Sequence, residues 1–211
     1  MNSFQLKWIA IISMAIDHTG AVLFPENAAL RCIGRIAFPV FCFLLVEGFI
    51  HTRDVRRYMG RLALFAFLSE IPFDLAFYGV PFQFRHQNVF FTLLGGVALM
   101  YFLEKYRAWY IRGAFILFFV WIAGAILSDY GGSGILLILI YYMFREHRKT
   151  KLILGAGWNF LFFQGIQWFG AGASLPIACY NGKKGSGMKY FFYVFYPAHL
   201  LLLYAIKKYM V

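Results

Sequence analysis

Long apolar stretches, separated by short polar or glycine-rich segments, fill the chain from one end to the other. Several approach the roughly twenty residues that an α-helix needs to cross a lipid bilayer. Leu152–Tyr180 is uncharged but holds several glycines and Pro176, so it forms either one long tilted helix or two short ones. The pattern predicts eight or nine helices, over Phe4–Phe24, Ala28–Ile50, Val55–Tyr78, Asn88–Lys105, Trp109–Ser128, Gly134–Phe144, Leu152–Tyr180 and Met188–Lys207.

The amino-acid composition adds one conclusion to this pattern, that the helices are surrounded by lipid. The chain is 62% hydrophobic and 14% charged, far from the shares of a water-soluble domain, so its excess apolar surface requires lipid. We therefore predict an all-α fold, a polytopic membrane helix bundle of eight or nine transmembrane helices. Residues 1–211 leave room for one domain, located in the cell membrane.

The positive charge of the chain is concentrated in alternate loops. The formal net charge is +11, and its Lys and Arg collect between apolar stretches, as cytoplasmic loops require, and not along a groove for nucleic acid. Three basic loops follow the second, fourth and sixth predicted helices, which places the N-terminus in the cytoplasm. The orientation of the last stretch stays undecided, because Lys183, Lys184 and Lys189 favour an inside loop whereas Lys207 and Lys208 favour an inside C-terminus.

Two ionisable side chains, Asp17 and His18, lie past the middle of the first predicted helix. A charge at that depth is costly unless it is paired or hydrated. Arg35 enters from the same side on the second helix and reaches a similar depth, so we predict an Asp17–Arg35 ion pair. The pair would position His18 as a base or nucleophile. The alternative is a structural polar cluster that joins the helices.

Two carboxylates, Glu70 and Asp74, lie one turn apart on the third predicted helix, with Pro72 between them. They could perform acid and base chemistry or pair with Arg35 or Arg85. We expect Glu70 near the height of Asp17 and Asp74 closer to the membrane interface.

The last predicted helix contains a proline followed by a histidine about midway across the membrane. Pro197 removes a helix hydrogen bond and frees a carbonyl, which favours a polar pocket that includes His199 and Tyr196. A lone core histidine is the alternative. The histidines lack HxxxH spacing and the three cysteines form no CxxC pair, so we expect no metal site.

The cytoplasmic end of the second and third predicted helices carries Glu47 and a row of arginines. Arg53, Arg57 and Arg61 share one helix face and could hold a ligand with several phosphates, such as a nucleotide or coenzyme A. Contact with anionic lipid headgroups explains them almost as well.

Several short segments, taken in their order and spacing, resemble the TraX family over nearly the whole chain. The segments are Ile11–His18, Ile33–Phe41, Glu47–Gly48, His51–Arg53, Arg61–Leu62, Ser69–Asp74, Asn88–Leu93, Asn181–Gly182 with Gly185, and Phe192–Leu200.

The resemblance implies a bacterial inner-membrane acetyltransferase, because TraX proteins are known for acetylating the N-terminus of conjugative pilin. It implies acetyl-CoA as donor and, as acceptor, a peptide or protein N-terminus or a small molecule. Asn181 and Lys184 would then contribute to the coenzyme A site, and Asn88 and Thr92 would line the pocket. We expect His18 to act as general base or to carry the acetyl group, with His199 and Tyr196 donating to the oxyanion.

Two other classes of protein are compatible with buried charges. A proton-coupled transporter uses such residues along its ion pathway, but it usually shows inverted repeats with matching broken helices, and we find only one irregular region, near Gly165–Pro176. A scaffold protein would gain nothing from the cost of buried charges.

Overall fold

A computed structural model describes residues 1–163 and 165–210, which are helical almost throughout. In this part of the chain no β-strand forms, and one isolated bridge joins Gln87 to Ser128. A 3₁₀ helix, Gly165–Ala173, follows the eighth α-helix. The α-helices are α1 (Ser3–Leu23), α2 (Ala28–Gly34), α3 (Ala37–Ile50), α4 (Val55–Tyr78), α5 (Val89–Lys105), α6 (Trp109–Ala125), α7 (Gly131–Met143), α8 (Arg148–Leu161), α9 (Ser174–Ala178) and α10 (Lys189–Met210).

Three helical stretches in the described residues are long and apolar enough to cross a membrane, namely Ser3–Leu23, Ala28–Ile50 and Tyr190–Tyr209. Trp109–Ala125 and Gly131–Met143 are shorter apolar helices. Large apolar side chains such as Phe67, Leu117 and Trp121 remain exposed on the outside of the bundle. A surface of this kind is stable in contact with lipid, so the all-helical prediction is confirmed and the apolar helices indicate a membrane protein.

The second predicted helix, Ala28–Ile50, is broken into α2 and α3 at Arg35 and Ile36. The cause is Pro39, which has no N–H to donate to the carbonyl of Arg35 four residues earlier. Pro39 is tolerated in the first turn of α3, where its N–H is not needed. The break places Arg35 in a turn between two helices instead of inside one.

The segment predicted as Leu152–Tyr180 divides into three pieces: α8, the 3₁₀ helix and α9. Gly165 adopts φ +61°, a left-handed conformation that an α-helix cannot contain. Pro176 lies in the first turn of α9, because the helix cannot continue through a residue that lacks an N–H. The outcome is closer to the prediction of two short helices than to that of one long helix.

Helices α1 and α10 lie side by side and run in the same direction. Phe4 and Phe192 touch near their N-terminal ends, with ring centroids 6.1 Å apart, and His18 meets His199 farther along. Phe65 and Tyr193 stack, with centroids 5.0 Å apart, which places α4 beside α10.

The direction of α10 places the two groups of C-terminal lysines at opposite ends of the bundle. The backbone of Lys183 accepts a hydrogen bond from Ser3 N at 2.8 Å, and Asn181 N donates to Met1 O at 2.8 Å. The loop 179–188 therefore lies at the N-terminal end of α1, and Lys207 and Lys208 lie at the opposite end of the bundle.

Candidate functional site

Asp17 is the centre of a buried charge cluster between α1 and α2. Arg35 donates to both carboxylate oxygens, with Nε 3.2 Å from Oδ1 and Nη2 bonded to Oδ2. The Nε atom of Arg31 lies 3.1 Å from Oδ1. Asp17 is 6% exposed, so the two guanidinium groups supply the compensation that a buried carboxylate needs. The Asp17–Arg35 ion pair predicted from the sequence is confirmed.

The close approach of α1 and α2 at Asp17 depends on a glycine. A Cβ atom built on Gly34 would lie 2.1 Å from the Asp17 Cβ and 2.6 Å from its Cα. No side chain fits this space, because real Cβ contacts are longer than 3.0 Å. Gly34 therefore lets the carboxylate reach both arginines.

A distant segment completes the cluster. The Oε1 atom of Gln167, in the 3₁₀ helix, accepts from Arg35 Nη1 at 3.2 Å. Gly170, one turn later, approaches the backbone carbonyl of Arg35, where an added Cβ would be 3.3 Å from the oxygen. The 3₁₀ helix thus packs directly on the turn that Pro39 creates.

His18 and His199 form a hydrogen-bonded pair between α1 and α10. Nδ1 of His18 lies 2.7 Å from Nε2 of His199, and the ring planes are 7° apart with centroids at 4.9 Å. These values place the hydrogen bond in the common plane of the two rings. Phe77 of α4 contacts the His18 ring edge-on at 5.5 Å, so three helices enclose the pair.

The hydrogen bonds of His199 assign the protons of the pair. Its Nδ1 lies 2.8 Å from the carbonyl oxygen of Phe195, which can only accept, so Nδ1 carries the proton. In a neutral ring Nε2 is then an acceptor, and His18 must donate through Nδ1. This leaves Nε2 of His18 with a free lone pair and no hydrogen bond to a described residue.

The pair changes the roles expected from the sequence. The imidazole of His18 is oriented by His199, whereas Asp17 binds the two arginines. Both ring nitrogens of His199 are engaged, so His199 has no N–H to offer an oxyanion. Tyr196, whose ring centroid is 5.8 Å from that of His18, keeps a buried hydroxyl without a side-chain partner among the described residues.

Glu70 lies on α4 and bonds to the N-terminus of α5, not to Arg35 or Arg85. The Nδ2 atom of Asn88 donates to Glu70 Oε2 and, at 2.8 Å, to the carbonyl of Ala66. Asn88 also caps α5 by accepting from Phe90 N at 3.0 Å. The second oxygen of Glu70, Oε1, is buried without a partner in the described residues.

Asp74 and Thr92 serve the loops at the same end of the bundle. Asp74 is 1% exposed and accepts from Gln83 N at 2.7 Å, so it holds the loop after α4. Thr92 is fully buried and donates to Ser128 Oγ at 3.1 Å. Asp74 thus holds the loop after α4, and Thr92 holds the turn after α6.

The residues predicted to hold coenzyme A lie at the opposite end. Arg57 pairs with Asp54 at 3.0 Å, and Arg61 packs on the ring of Tyr58 and bonds to Tyr193. Arg53 lies in the loop before α4, next to this pair. The loop that carries Asn181 and Lys184 is at this end too.

Two of these residues make contacts within the protein, Asn181 through its side chain and Lys184 through its backbone carbonyl. Asn181 Oδ1 accepts from Lys183 N at 3.1 Å, and the carbonyl of Lys184 accepts from Ser3 Oγ at 2.5 Å. Tyr180 bonds to Glu47. The structure thus separates the predicted site residues into two groups.

A pocket of about 280 Å³ opens beside the Asp17 cluster. Asp129, in the turn between α6 and α7, lies at its edge, and Nε2 of His86 is 3.8 Å from the Asp129 carboxylate. Burial raises the pKa of the Asp129 carboxyl above its ordinary value, whereas His86 and then Arg35 oppose the rise. The pocket is lined by Arg35, Asp129, Tyr130, Ser133, Phe163 and Gln167.

Three of these site residues were missed in the sequence. Arg31 could have been found, because it precedes Arg35 by one helical turn and shares its face. Asp129 reads as part of a glycine-rich turn, and Gln167 lies in an uncharged segment 132 residues from Arg35. Neither carries a sequence signal of its own.

The fold and the polar clusters define a class: an all-helical membrane protein with a histidine pair and a buried carboxylate–arginine cluster among its helices. The family model described as TraX protein matches residues 3–207. The chain therefore belongs to the TraX family, as the resemblance of its motifs indicated.

Three relatives extend this comparison. The chain is 32% identical to a probable fimbrial assembly protein of Dichelobacter nodosus, with 99% of this chain and 97% of that protein aligned. It is 31% identical to an uncharacterised protein of Rickettsia prowazekii, over 71% of this chain and 58% of the relative. It is 24% identical to protein TraX of Escherichia coli, over 72% of this chain and 60% of the relative. No solved structure matches.

Proposed function

We propose that the protein is a multi-pass membrane acetyltransferase that moves an acetyl group from cytoplasmic acetyl-CoA to an amine or hydroxyl acceptor, with His18 as general base. The observation that carries the proposal is the free lone pair on Nε2 of His18, fixed by the hydrogen-bonded chain through His199 to Phe195. Membership of the TraX family and the relative named for fimbrial assembly favour a peptide or protein N-terminus as acceptor.

The reaction proceeds by attack of the acceptor nitrogen on the thioester carbonyl carbon. Nε2 of His18 takes the proton of the neutral amine as the C–N bond forms. The resulting imidazolium is stabilised by the lone pair of His199 that faces Nδ1, which is the part played by a carboxylate in other catalytic triads. The C–S bond then breaks, and the departing thiolate receives the proton from Nε2.

A second route uses the same lone pair as nucleophile. Nε2 of His18 would attack the thioester, release the thiolate and carry the acetyl group until the amine displaces it. Tyr196 supports either route as the donor to the oxyanion, because its ring centroid lies 5.8 Å from that of His18 and its buried hydroxyl has no side-chain partner in the described residues.

The donor would enter from the end that carries Arg53, Arg57 and Arg61, with Asn181 and Lys184 on the neighbouring loop. From Arg61 to Phe77, which touches His18, α4 rises about 24 Å. A donor that binds both places needs phosphates at one end and a thioester on a long flexible arm. Coenzyme A has this form.

The chain would cross the membrane nine times, with α2 and α3 forming one crossing and the 3₁₀ helix with α9 forming another. The basic residues at the N-terminal end favour a cytoplasmic location for that end. Because α10 runs parallel to α1, the C-terminus then lies outside. A C-terminal alkaline phosphatase fusion, active only outside the cytoplasm, should be active, and a C-terminal green fluorescent protein fusion should be dark. The reverse result would refute this topology.

Purified protein in detergent tests the activity directly. Acetyl-CoA should raise the melting temperature, and with a peptide carrying a free N-terminus the protein should release thiol and form acetylated peptide in equal amounts. Arg57→Gln should weaken the thermal response to coenzyme A, whereas Arg107→Gln, an exposed arginine in another loop, should keep it. Absence of both thermal response and acetyl transfer in the wild type would exclude the acetyltransferase and favour a transporter.

A further inference from the structure

The first turn of α5 joins α4, α5 and α10. Asn88, which precedes this turn, is fully buried. Its Nδ2 atom donates to Glu70 Oε2 and to the Ala66 carbonyl of α4, and its Oδ1 atom accepts from Phe90 N at 3.0 Å. Its backbone N lies 3.5 Å from the same Glu70 oxygen. The start of α5 is therefore held by one carboxylate and one carbonyl of α4.

The same turn contacts Tyr196 of α10 in two ways. The backbone N–H of Val89 faces the Tyr196 hydroxyl oxygen, in a contact weaker than a regular hydrogen bond. The ring of Phe90 meets the ring of Tyr196 edge-on, with centroids 5.2 Å apart. Because Val89 and Phe90 directly follow Asn88 in one helical turn, a displacement of Asn88 would move both contacts. Tyr196 in turn lies beside His18, with ring centroids 5.8 Å apart.

The carboxylate of Glu70 is a costly group for joining two helices. An ionised side chain in a membrane is unfavourable unless it is paired, and among the described residues Glu70 forms no salt bridge and its Oε1 atom is buried without a partner. A neutral amide would join α4 to α5 at lower cost. A carboxylate accepts a hydrogen bond about twice as strong as a neutral acceptor does, and it faces the positive end of the α5 dipole. Glu70 is therefore suited to holding Asn88 in a fixed position.

We propose that Glu70 is a positioning residue for Tyr196, acting through Asn88 and the first turn of α5. The inference rests on the proposed acetyltransferase function, in which the Tyr196 hydroxyl donates to the oxyanion. Such a donor is effective only at hydrogen-bonding distance from the developing charge, so a displaced hydroxyl loses most of its effect. In this scheme Glu70 does not contact the reacting atoms, and its contribution to the rate depends on Tyr196.

A double-mutant cycle with Tyr196→Phe measures this dependence. Glu70→Gln should lower kcat for acetyl transfer about tenfold, because Asn88 is held less firmly, and should leave KM for acetyl-CoA nearly unchanged. Tyr196→Phe should lower kcat about 10²-fold. In Tyr196→Phe protein, Glu70→Gln should change kcat by less than about twofold, since no hydroxyl remains to be positioned. Glu104→Gln changes an exposed glutamate that accepts from Tyr142 Oη at 3.3 Å, and this matched control should keep the wild-type rate.

Two results of the cycle would overturn the proposal. One is an effect of Glu70→Gln that is as large in Tyr196→Phe protein as in the wild type, and the other is a wild-type rate in folded Glu70→Gln protein. If Glu70→Gln does not fold, Asn88→Ser takes its place in the same cycle and must show the same dependence on Tyr196. Serine still caps a helix, but its shorter side chain gives up the bond to Glu70.

A second measurement needs no acetyl transfer. In protein labelled with carbon-13 at the tyrosine Cζ atoms, the resonance of Tyr196 is the one absent from Tyr196→Phe protein. We expect Glu70→Gln to shift this resonance and Glu104→Gln to leave it in place. An unshifted Tyr196 resonance in Glu70→Gln protein would contradict the positioning role, whether or not the wild type transfers acetyl groups. A wild type without transfer but with the shift would contradict only the acetyltransferase function.

Discussion

Replacement of His18 by alanine should lower the rate of acetyl transfer by about 10²–10⁴-fold, since a general base contributes this range. The substitution removes the lone pair at Nε2 and leaves the Asp17 cluster, on a different side of α1, in place. The measurement is the steady-state rate of thiol release and peptide acetylation by purified protein. His147→Ala, a change of an exposed histidine in the loop before α8, serves as the matched control and should keep the wild-type rate.

In the proposed mechanism His199 positions His18, and variants of His199 distinguish this role from a purely structural one. His199→Ala should also slow transfer by about 10²-fold or more, because His18 loses the acceptor that fixes its tautomer. His199→Gln offers a side-chain oxygen in a similar place and should recover part of the rate, with kcat changed more than KM. Transfer at the wild-type rate by folded His199→Ala protein would remove the histidine pair from the mechanism.

Gly34→Ala should destabilise the protein strongly and disrupt the Asp17 cluster. The new Cβ would lie 2.1 Å from the Asp17 Cβ and 2.6 Å from its Cα, and the second contact involves backbone, so α1 and α2 must move apart. Overpacking typically costs about 1–3 kcal/mol, and breaking a buried ion pair about 3–5 kcal/mol. We therefore expect the melting temperature to fall on the order of 10 °C.

The matched control for Gly34→Ala is a second helical glycine without neighbours. A Cβ on Gly60, in α4, would meet nothing within 4 Å. Gly60→Ala should leave the melting temperature unchanged or raise it slightly, because alanine favours a helix over glycine. Equal melting temperatures for the two variants would show that the close approach at Asp17 is not needed for stability.

The two clusters differ in what their geometry can do. Asp17 pairs with Arg31 and Arg35, and Arg35 bonds to Gln167, so the cluster joins three segments, which suits a rigid support. The His18–His199 pair leaves Nε2 of His18 without a hydrogen bond to a described residue, which suits a general base or a nucleophile. The sequence allowed either a structural or a functional polar cluster. The geometry favours the structural role for the Asp17 cluster and the functional role for the His18–His199 pair. Asp17 and Arg35 stabilise the bundle at the level where His18 would react.

The separation of the two groups of predicted residues limits how a donor can bind. Arg57 and Arg61 lie on the first turns of α4, whereas Phe77, near its end, contacts His18. A ligand without a long arm cannot reach both. The acyltransferase and a transporter can thus be distinguished by whether coenzyme A, and not a short acetyl ester, raises the melting temperature.

The sequence by itself determined the features that depend on local pattern. Apolar stretches of helical length gave an all-helical fold, since lipid requires every backbone group to be bonded within its own segment. The Asp17–Arg35 pair was predictable because the two helices are consecutive and a short turn fixes their relative depth. Turn residues such as Gly79, with φ +73°, marked where helices end.

Only the tertiary structure decided what depends on distant packing. His18 and His199 are 181 residues apart, and nothing in either helix specifies that α10 runs parallel to α1 with the two imidazoles in one plane. Gln167 reaches the cluster because the 3₁₀ helix packs against it. Asp129 comes close because the turn between α6 and α7 lies beside the same pocket. The direction of α10 and the roles of His18 and His199 follow from side-chain packing between helices, which helical periodicity does not encode.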